Sequence, residues 1–317
     1  MKCLITGITG QVSSYLAEYL LANNYEVFGI KRWRSPMTNI NHIKDKIKLY
    51  DADFRDTKAM FDVINEVKPD KIFHVGAQSY VPYSFTNPID TINTNILGTL
   101  NILEAVRNAK IDPIILIVSS SEVYGTAENF PTKETEPFRP ASVYAFSKCS
   151  QDLLGQMYNR IYGMKIVISR AFTHTSPRRD AVFVESAFAK QIAMIEKGLQ
   201  EPILKVGNLN SIRRFMDARD IVEAYWILTE KGTGGESYNI AGGTEMTIKE
   251  LLDKFLEMSP IGKDIKIVQD EKLLRPKDVN RQDPDTSKFD EISGGWKPKI
   301  PFTKTMQDLL NHWRRNV

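Results

Sequence analysis

A tyrosine and a lysine stand four residues apart, as Tyr144 and Lys148 in the segment YAFSK. On a helix this spacing places both side chains on one face. An ammonium group near a phenol stabilises the phenolate and lowers the pKa of the tyrosine, so that the phenol can act as an acid or base near neutral pH. The pair therefore indicates proton transfer; the alternative is a surface tyrosine beside a solvated lysine.

A second group of candidate catalytic residues follows the apolar segment Ile114 to Val118. Three serines precede an acid there, in the order Ser119, Ser120, Ser121, Glu122. Five consecutive apolar residues predict a strand that is buried on both faces. Open α/β sheets bind their ligands at the carboxyl ends of the strands. We therefore expect these polar side chains to lie where a cofactor and a substrate meet.

A glycine-rich turn, Thr6 to Ser13, separates the first predicted strand from the first predicted helix. Glycines there permit a tight turn and let backbone N–H groups approach a pyrophosphate at the start of the helix. Ser13 stands where a third glycine is usual and is small enough for close packing. The turn indicates dinucleotide binding, although an ordinary strand-to-helix turn is the alternative. The cofactor-binding residues predicted here are Gly7, Thr9, Gly10, Gln11 and Val12.

The residues at the end of the second predicted strand indicate whether NAD or NADP is bound. An acid at this point would bind the ribose 2′-hydroxyl of NAD, but the sequence has Lys31, Arg32 and Arg34 instead. Three cations favour a 2′-phosphate, so we predict NADP with Arg32 among its ligands; a solvated basic loop is the alternative. Asp53 and Phe54 follow the third strand and are predicted to border the adenine ring.

These candidate residues require a scaffold of alternating strands and helices, and the chain shows that alternation as far as about Thr173. The pattern predicts an α/β fold, a Rossmann-type doubly wound parallel sheet with a smaller C-terminal α/β substrate-binding domain. We assign residues 1–172 to the NADP-binding domain, with a returning segment near 214–240. Residues 173–213 and 241–317 are assigned to the substrate-binding domain.

Composition excludes several classes of protein. The 317 residues are 42% hydrophobic and 26% charged, with a formal net charge of +3. That charge is too small to indicate nucleic acid or a membrane surface as a partner. The two cysteines, Cys3 and Cys149, have no metal-ligand neighbours and are expected to be reduced, so no metal is predicted. With no apolar run long enough to span a membrane, we expect a cytoplasmic protein.

Together, three motifs resemble those of the extended short-chain dehydrogenase/reductases: TGxxGxxx after the first strand, SSSEVYG after the strand at Ile114, and YxxxK. Within that family, five further segments resemble the GDP-mannose 4,6-dehydratases and the neighbouring GDP-4-keto-6-deoxymannose reductases. They are GITGQVSSYLAEYL, GAQSYVPYSF, SPRRDAVFV, GNL and LLRPKDV. The resemblance covers essentially the whole chain.

The resemblance implies catalytic roles at matching positions. Tyr144 would take the proton of the sugar 4-hydroxyl, Ser120 would hydrogen-bond the same oxygen, and Lys148 would hold the cofactor ribose. Glu122 would be the base that removes the C5 proton of a 4-keto sugar, the step that separates a dehydratase from a plain reductase. Ser121 stands between them, where nucleotide-glucose dehydratases carry an aspartate.

The resemblance also implies the binding residues. Arg213 and Arg275 would bind the substrate diphosphate, and one of Arg178 and Arg179 would reach a cofactor phosphate of a neighbouring subunit or face solvent. The remaining residues implied in cofactor or substrate binding are Gly76, Ala77, Ser79, Thr173, Val184 and Asn208.

Three positions depart from the family pattern. Thr173 replaces an asparagine that contacts the substrate, Arg214 replaces an aspartate after Arg213, and Met216 replaces a smaller residue. A buried aspartate replaced by arginine needs a new partner or exposure. These departures bear directly on which sugar is bound.

The predicted function is an NADP-dependent sugar-nucleotide 4,6-dehydratase that converts GDP-mannose to GDP-4-keto-6-deoxymannose. The alternative is a 4-reductase acting on GDP-4-keto-6-deoxymannose or a related heptose, because AFAKQI, EPILKVGNL and IVEAYWIL are closer to that branch. An epimerase or decarboxylase and a non-catalytic nucleotide-binding protein also remain. Two long predicted helices, Thr91 to Asn108 and Val143 to Tyr162, resemble a dimer interface, so we expect a homodimer or homotetramer.

Overall fold

The computed structural model describes residues 1–317. The strands are β1 Lys2–Thr6, β2 Glu26–Lys31, β3 Lys48–Asp51, β4 Lys71–His74, β5 Ile114–Val118, β6 Ile166–Ala171, β7 His174–Thr175, β8 Ile203–Val206, β9 Ile212–Asp217, β10 Ser237–Ile240, β11 Thr244–Thr247 and β12 Lys266–Gln269. The helices are α1 Gln11–Ala22, α2 Thr57–Val67, α3 Val81–Thr86, α4 Pro88–Ile92, α5 Gly98–Ala109, α6 Val143–Tyr162, α7 Val184–Glu196, α8 Ala218–Lys231, α9 Ile248–Glu257, α10 Ser287–Ser293 and α11 Phe302–Asn316.

Seven strands form one parallel sheet in the order β3-β2-β1-β4-β5-β6-β10. The order reverses between β1 and β4, so the loops after these two strands diverge and leave a crevice at the carboxyl edge. The Rossmann-type parallel sheet predicted from the strand–helix alternation is confirmed. β10 comes from the second half of the chain and completes the sheet beside β6.

Apolar side chains bury both faces of this sheet. On one face α1 and α8 contribute Leu16, Leu20 and Tyr225 to a core that also includes Ile5 and Leu116 from the strands. On the other face α2, α5 and α6 pack against alternate side chains of the same strands. Because both faces are covered, the central strands are uniformly apolar and only their ends carry polar residues.

A separate core lies in the C-terminal half, where helices α7, α9 and α11 pack around β8, β9 and β11. Two small sheets belong to this half, one formed by β11, β9 and β7 and the other by β12 and β8. β9 and β11 are not predicted from the sequence pattern, and Arg213, Arg214 and Met216 all lie in β9. None of the helices is both long enough and apolar enough to cross a membrane.

The helix predicted at Thr91 to Asn108 is irregular in the structure. Helices α4 and α5 are joined by a π-helical turn, Asn93–Leu97. Its central residue, Asn95, is fully buried, accepts a hydrogen bond from the backbone N–H of Gln78 at 2.8 Å, and donates to Ser147 Oγ of α6 at 2.8 Å. The turn therefore ties the loop after β4 to the helix that carries Tyr144.

Candidate active site

The glycine-rich turn closes tightly at the start of α1. Gly7 has a positive φ of 62°, and a Cβ at this position would lie 2.8 Å from Gly76 Cα. Gly10 donates a backbone hydrogen bond to Gly7 at 2.9 Å and precedes the helix without a side-chain cap. The first N–H groups of α1 therefore have no capping side chain, and a pyrophosphate fits this narrow backbone cradle.

The loop after β2 presents free cations beside that turn. Lys31 forms an ion pair with Asp51, whereas Arg32 is exposed and forms no ion pair, and Arg34 lies over the ring of Trp33. Asp53 is already bound by Arg55 at 2.7 Å. An acceptor-free arginine at this position suits a phosphate group.

Phe54 is buried and forms part of the wall behind the glycine-rich turn. A Cβ on Gly76 would lie 3.0 Å from its ring, and the ring also packs edge-on against His74. The predicted cofactor residues Gly7, Phe54 and Gly76 are therefore neighbours at one edge of the sheet. Ala77 and Ser79 continue the loop after β4, where Ser79 is exposed.

Helix α6 places Tyr144 and Lys148 one turn apart. The Ser142 side chain caps the helix by accepting a hydrogen bond from Ala145 N at 3.0 Å, which fixes Tyr144 in the first turn. Lys148 Nζ lies 6.0 Å from the centre of the Tyr144 ring and donates to the carbonyl of Val118 at 2.8 Å. Both side chains are buried, in the arrangement that their spacing predicts.

The pKa of Tyr144 differs from the sequence-based expectation. Burial raises it to about 12; the adjacent Ser120 hydroxyl acts to lower it, the Glu122 charge raises it and Arg179 lowers it. Burial also lowers the pKa of Lys148 to about 7. The expectation of a lowered tyrosine pKa is therefore wrong for this structure, because desolvation of the phenol outweighs its neighbours.

The three serines after β5 point to different partners. Ser119 Oγ donates to the carbonyl of Lys148 at 3.3 Å, and Ser121 Oγ donates to Gln282 Oε1 at 3.2 Å. Ser120 Oγ accepts from the backbone N–H of Glu122 at 3.2 Å and lies beside the phenol of Tyr144. Only the middle serine is thus available to the reacting groups.

Glu122 lies in a short 3₁₀ turn, Ser121–Tyr124, that continues from β5. Its Oε1 accepts a hydrogen bond from Gln282 Nε2 at 3.0 Å, and its charge acts on both Tyr144 and Arg213. At the end of β5, the carboxylate charge of Glu122 therefore acts on both a phenol and a guanidinium. Sequence analysis did not single out Gln282, which lies 160 residues away along the chain.

Asp278 lies close to the residues that are predicted to bind the substrate diphosphate. It accepts from Asn208 Nδ2 at 2.8 Å and lies 3.7 Å from Arg213 and 3.9 Å from Arg275. Glu185 is a second acid among these groups: burial raises its pKa, whereas Arg179, Arg213 and Arg275 act to lower it. Asp278 and Glu185 were both missed; Asp278 is three residues from Arg275, but only the fold brings it to Arg213 and Asn208.

The two adjacent arginines after β7 have different environments. Arg178 lies over the ring of Tyr15 and forms an ion pair with Glu18 of α1. Arg179 lies over Phe183, donates to Gln11 Oε1 at 2.9 Å, and leaves its buried Nε without a partner. The solvent-facing alternative is wrong for Arg179, whose unpaired N–H is suited to a bound anion.

The three departures from the family pattern are accommodated in different ways. Arg214 has acquired acidic partners, Asp283 at 2.9 Å and Glu245 at 3.5 Å. Met216 is buried in the core between the sheet and α8. Thr173 is half-buried, and its carbonyl accepts from Met216 N at 3.1 Å. Val184 begins α7 and is partly exposed.

The sequence of this chain matches that of a known protein family. Residues 4–309 match a family model described as GDP-mannose 4,6 dehydratase. The chain belongs to the GDP-mannose 4,6-dehydratase family. A GDP-mannose 4,6-dehydratase of Yersinia enterocolitica is 34% identical, with 98% of this chain and 92% of the relative covered.

Proteins with a different activity are also similar to this chain. A GDP-6-deoxy-D-mannose reductase of Pseudomonas aeruginosa is 29% identical, with 100% of this chain and 98% of the relative covered. A solved structure of RMD from Pseudomonas aeruginosa complexed with NADPH has a TM-score of 0.84 and 29% identity, and covers 100% of this chain and 99% of that chain.

Proposed function

We propose that this protein is an NADP-dependent 4,6-dehydratase that converts GDP-mannose to GDP-4-keto-6-deoxymannose and water. The observation that carries the proposal is the position of Glu122, which lies in the turn that follows the carboxyl end of β5 and whose charge acts on Tyr144. An oxidoreductase of this fold needs only the serine, the tyrosine and the lysine. A carboxylate at the same point supplies the base that an elimination requires.

The cofactor would be held by the first half of the chain. The cradle of Gly7, Gly10 and the start of α1 suits the pyrophosphate, and exposed Arg32 suits the 2′-phosphate that distinguishes NADP. When bound, NADP supplies a hydride acceptor that takes hydrogen from C4 and returns it at C6. We assign residues 1–172 and the segment near 214–240 to this domain, and residues 173–213 and 241–317 to substrate binding.

Proton transfer begins at Tyr144, which takes the proton of the C4 hydroxyl as that carbon is oxidised. Ser120 hydrogen-bonds the same oxygen and orients it. The phenolate that this step requires is favoured by Ser120 and Arg179 and opposed by burial and by Glu122. Lys148 is anchored to the carbonyl of Val118 and lies where it can hold the cofactor ribose.

The resulting ketone makes the C5 proton acidic, and the Glu122 carboxylate removes it. Water then leaves from C6, and once C6 has received the hydride, the proton that Tyr144 took is returned, so that C5 regains a hydrogen and Tyr144 its starting state. Arg213 and Arg275 bind the diphosphate, while Asn208 and Val184 line the base and Ser79 and Thr173 face the sugar. Asp278 and Glu185 support this proposal because they hold the arginines of the site at the positions described above.

A 4-reductase is the second candidate. It is favoured by the Pseudomonas aeruginosa reductase, which aligns over 318 residues and therefore almost without insertions relative to this chain. Such an enzyme would use Ser120, Tyr144 and Lys148 to deliver a proton to the C4 oxygen and would not need Glu122 as a base.

We also propose a homodimer or homotetramer in the cytoplasm. Large apolar side chains are exposed on the predicted interface helices, including Leu97 in the π turn and Phe146 and Leu153 on α6. Exposed apolar surface of this kind marks interaction sites. Both cysteines are free and buried, which is in keeping with a reducing compartment.

Product analysis tests the proposal. The protein is incubated with a panel of nucleotide sugars and a catalytic amount of NADP, and the products are identified by mass spectrometry. We expect GDP-mannose alone to lose one water, without net consumption of NADPH. Stoichiometric oxidation of NADPH with a GDP-4-keto-6-deoxy sugar, and no water loss from GDP-mannose, would instead establish the reductase.

A further inference from the structure

Gln282 is a buried glutamine whose side chain reaches the end of β5 from the C-terminal half of the chain. It is 6% exposed. Its backbone is fixed by Ile212 of β9, which accepts from Gln282 N at 3.1 Å and donates to the carbonyl of Asn280 at 2.8 Å. The neighbouring residue Asp283 is fixed in turn by Arg214 and by the backbone of Thr132. The side chain therefore projects from a rigid support.

Both ends of the Gln282 carboxamide form hydrogen bonds. Ser121 Oγ donates to Oε1 at 3.2 Å, and Nε2 donates to Glu122 Oε1 at 3.0 Å. Because the carboxylate only accepts hydrogen bonds, the Nε2 end of the amide must face it, and the Ser121 hydroxyl holds the other end by donating to Oε1. Because a buried carboxamide with two partners has little rotational freedom, Glu122 receives its hydrogen bond from a fixed direction.

The Glu122 carboxylate is left with one bound oxygen and one free oxygen. Oε1 accepts from Gln282, whereas Oε2 has no hydrogen bond within the protein. The backbone of Glu122 is also fixed, since its N–H donates to Ser120 Oγ at 3.2 Å. Oε2 keeps both of its lone pairs free, whereas one lone pair of Oε1 is already engaged, so Oε2 is the more open of the two oxygens to an incoming proton.

We propose that Gln282 is a positioning residue for the dehydration step, which aims Glu122 Oε2 at the C5 proton, and that Ser121 orients Gln282. The inference rests on the proposed dehydratase function. It also gives Ser121 a part in the site that differs from direct contact with the sugar.

This arrangement serves the removal of water across C5 and C6. The C5–H bond breaks, and the proton goes to Glu122 Oε2. The electron pair of that bond forms the C5=C6 double bond as the C6–O bond breaks. The proton held by Glu122 passes to the departing hydroxide, so water leaves and the carboxylate is restored. No oxidant or reductant is consumed in this step.

The test uses Gln282→Leu, which keeps the side-chain size and removes both hydrogen bonds, with Ser121→Ala as a second variant. GDP-mannose with deuterium at C5, and separately at C4, serves as substrate. We expect kcat of Gln282→Leu to fall about 10- to 100-fold, the cost of a misdirected catalytic group, with a smaller change in KM. The C5 isotope effect on kcat should rise and the C4 effect should shrink; Ser121→Ala should show the same pattern more weakly.

Gln191→Leu is the matched control. Its carboxamide also bonds at both ends, to the backbone N–H and carbonyl of Lys205, but it lies outside the site. A fall in kcat without a larger C5 isotope effect, or the same pattern in Gln191→Leu, would overturn the positioning role. If the wild-type protein releases no water from GDP-mannose, the dehydratase function itself is wrong and the inference is overturned with it.

Discussion

At the scale of single residues, the site depends on how Glu122 and Tyr144 influence each other. The Glu122 charge raises the pKa of Tyr144 and also acts on Arg213. The Tyr144 phenolate loses its charge when it takes the proton of the C4 hydroxyl, so its repulsion by Glu122 ends before Glu122 acts on C5. The two groups are therefore suited to act in turn.

Glu122→Gln is expected to stop water loss and to leave oxidation at C4 in place, because the amide keeps the shape of the carboxylate and cannot accept the C5 proton. A lost general base costs about 10²- to 10⁴-fold in rate. Rapid-quench mass spectrometry of the reaction with GDP-mannose should detect the 4-keto sugar that still contains its C6 hydroxyl. Unchanged water release from this variant would rule out Glu122 as the base.

Sequence patterns predict residues of this site only where the partners are close along the chain. Tyr144 and Lys148 are four positions apart, so the helical period alone brings them together. Gln282 is 160 residues from Glu122, and Asp278 is 70 residues from Asn208. No local pattern connects such pairs, and the raised pKa of Tyr144 likewise results from burial that only the complete fold creates.

At the scale of elements, the strands and helices with strong periodicity are predicted closely. The bounds predicted for the helix at Val143 and for the strand at Ile114 agree with α6 and β5. β9 was missed because its sequence IRRFMD does not alternate between apolar and polar residues. Its pairing with β11 and β7, rather than its composition, makes it a strand.

The glycine-rich turn provides a test at this scale. Gly7→Ala should weaken NADP binding at least about tenfold, since the alanine would have to adopt a positive φ and its Cβ would lie 2.8 Å from Gly76 Cα. Fluorescence titration with NADPH measures the effect. Gly163→Ala serves as control: it also has a positive φ, ends α6 and has open space around its Cβ position. Equal loss of binding in both variants would contradict a local effect at the cradle.

At the scale of the whole molecule, a buried ion pair joins the sheet to α6. Arg170 of β6 donates to Asp152 of α6 at 2.8 Å, and both side chains are almost fully buried. The same guanidinium donates to the carbonyl of Glu134 at 2.7 Å and to the hydroxyl of Tyr124 at 3.0 Å. Ser237 of β10 completes the network by donating to Asp152 at 3.0 Å.

Arg170→Met should lower the free energy of unfolding by about 3–5 kcal/mol, because it leaves the Asp152 carboxylate buried without its partner. Arg170→Met combined with Asp152→Leu should recover much of that loss, since no uncompensated charge then remains. Urea denaturation of the three proteins checks both expectations. If the double variant were less stable than the single variant, the ion pair and its hydrogen bonds would stabilise the fold by more than the free energy needed to bury the two charges.

Acid should destabilise the fold partly through His74. Burial lowers the pKa of this residue from 6.5 to about 3. As the pH falls below 6.5 the unfolded chain binds a proton that the folded chain does not, so stability is lost as pH falls from 6.5 towards 3. From pH 6.5 to pH 5 this amounts to roughly 2 kcal/mol.

Urea denaturation at pH 7 and pH 5 measures this loss. His74→Asn should be less stable than wild type at pH 7, because hydrogen bonds to Thr6 and Thr99 are removed. It should nevertheless lose less stability between the two pH values. An equal pH dependence in both proteins would mean that other groups, such as His174 with its pKa lowered to about 4 by burial, dominate acid unfolding.

The ion pair between Arg214 and Asp283 also determines how this chain can be recombined with its relatives. The two residues are 69 positions apart, and the resemblance to the family implies relatives that have an aspartate in place of Arg214. A chimaera that takes its N-terminal part from such a relative and continues with this chain from a point between the two positions would place an aspartate opposite Asp283. Functional crossovers should therefore fall outside residues 214–283, so that this stretch is exchanged as a single block.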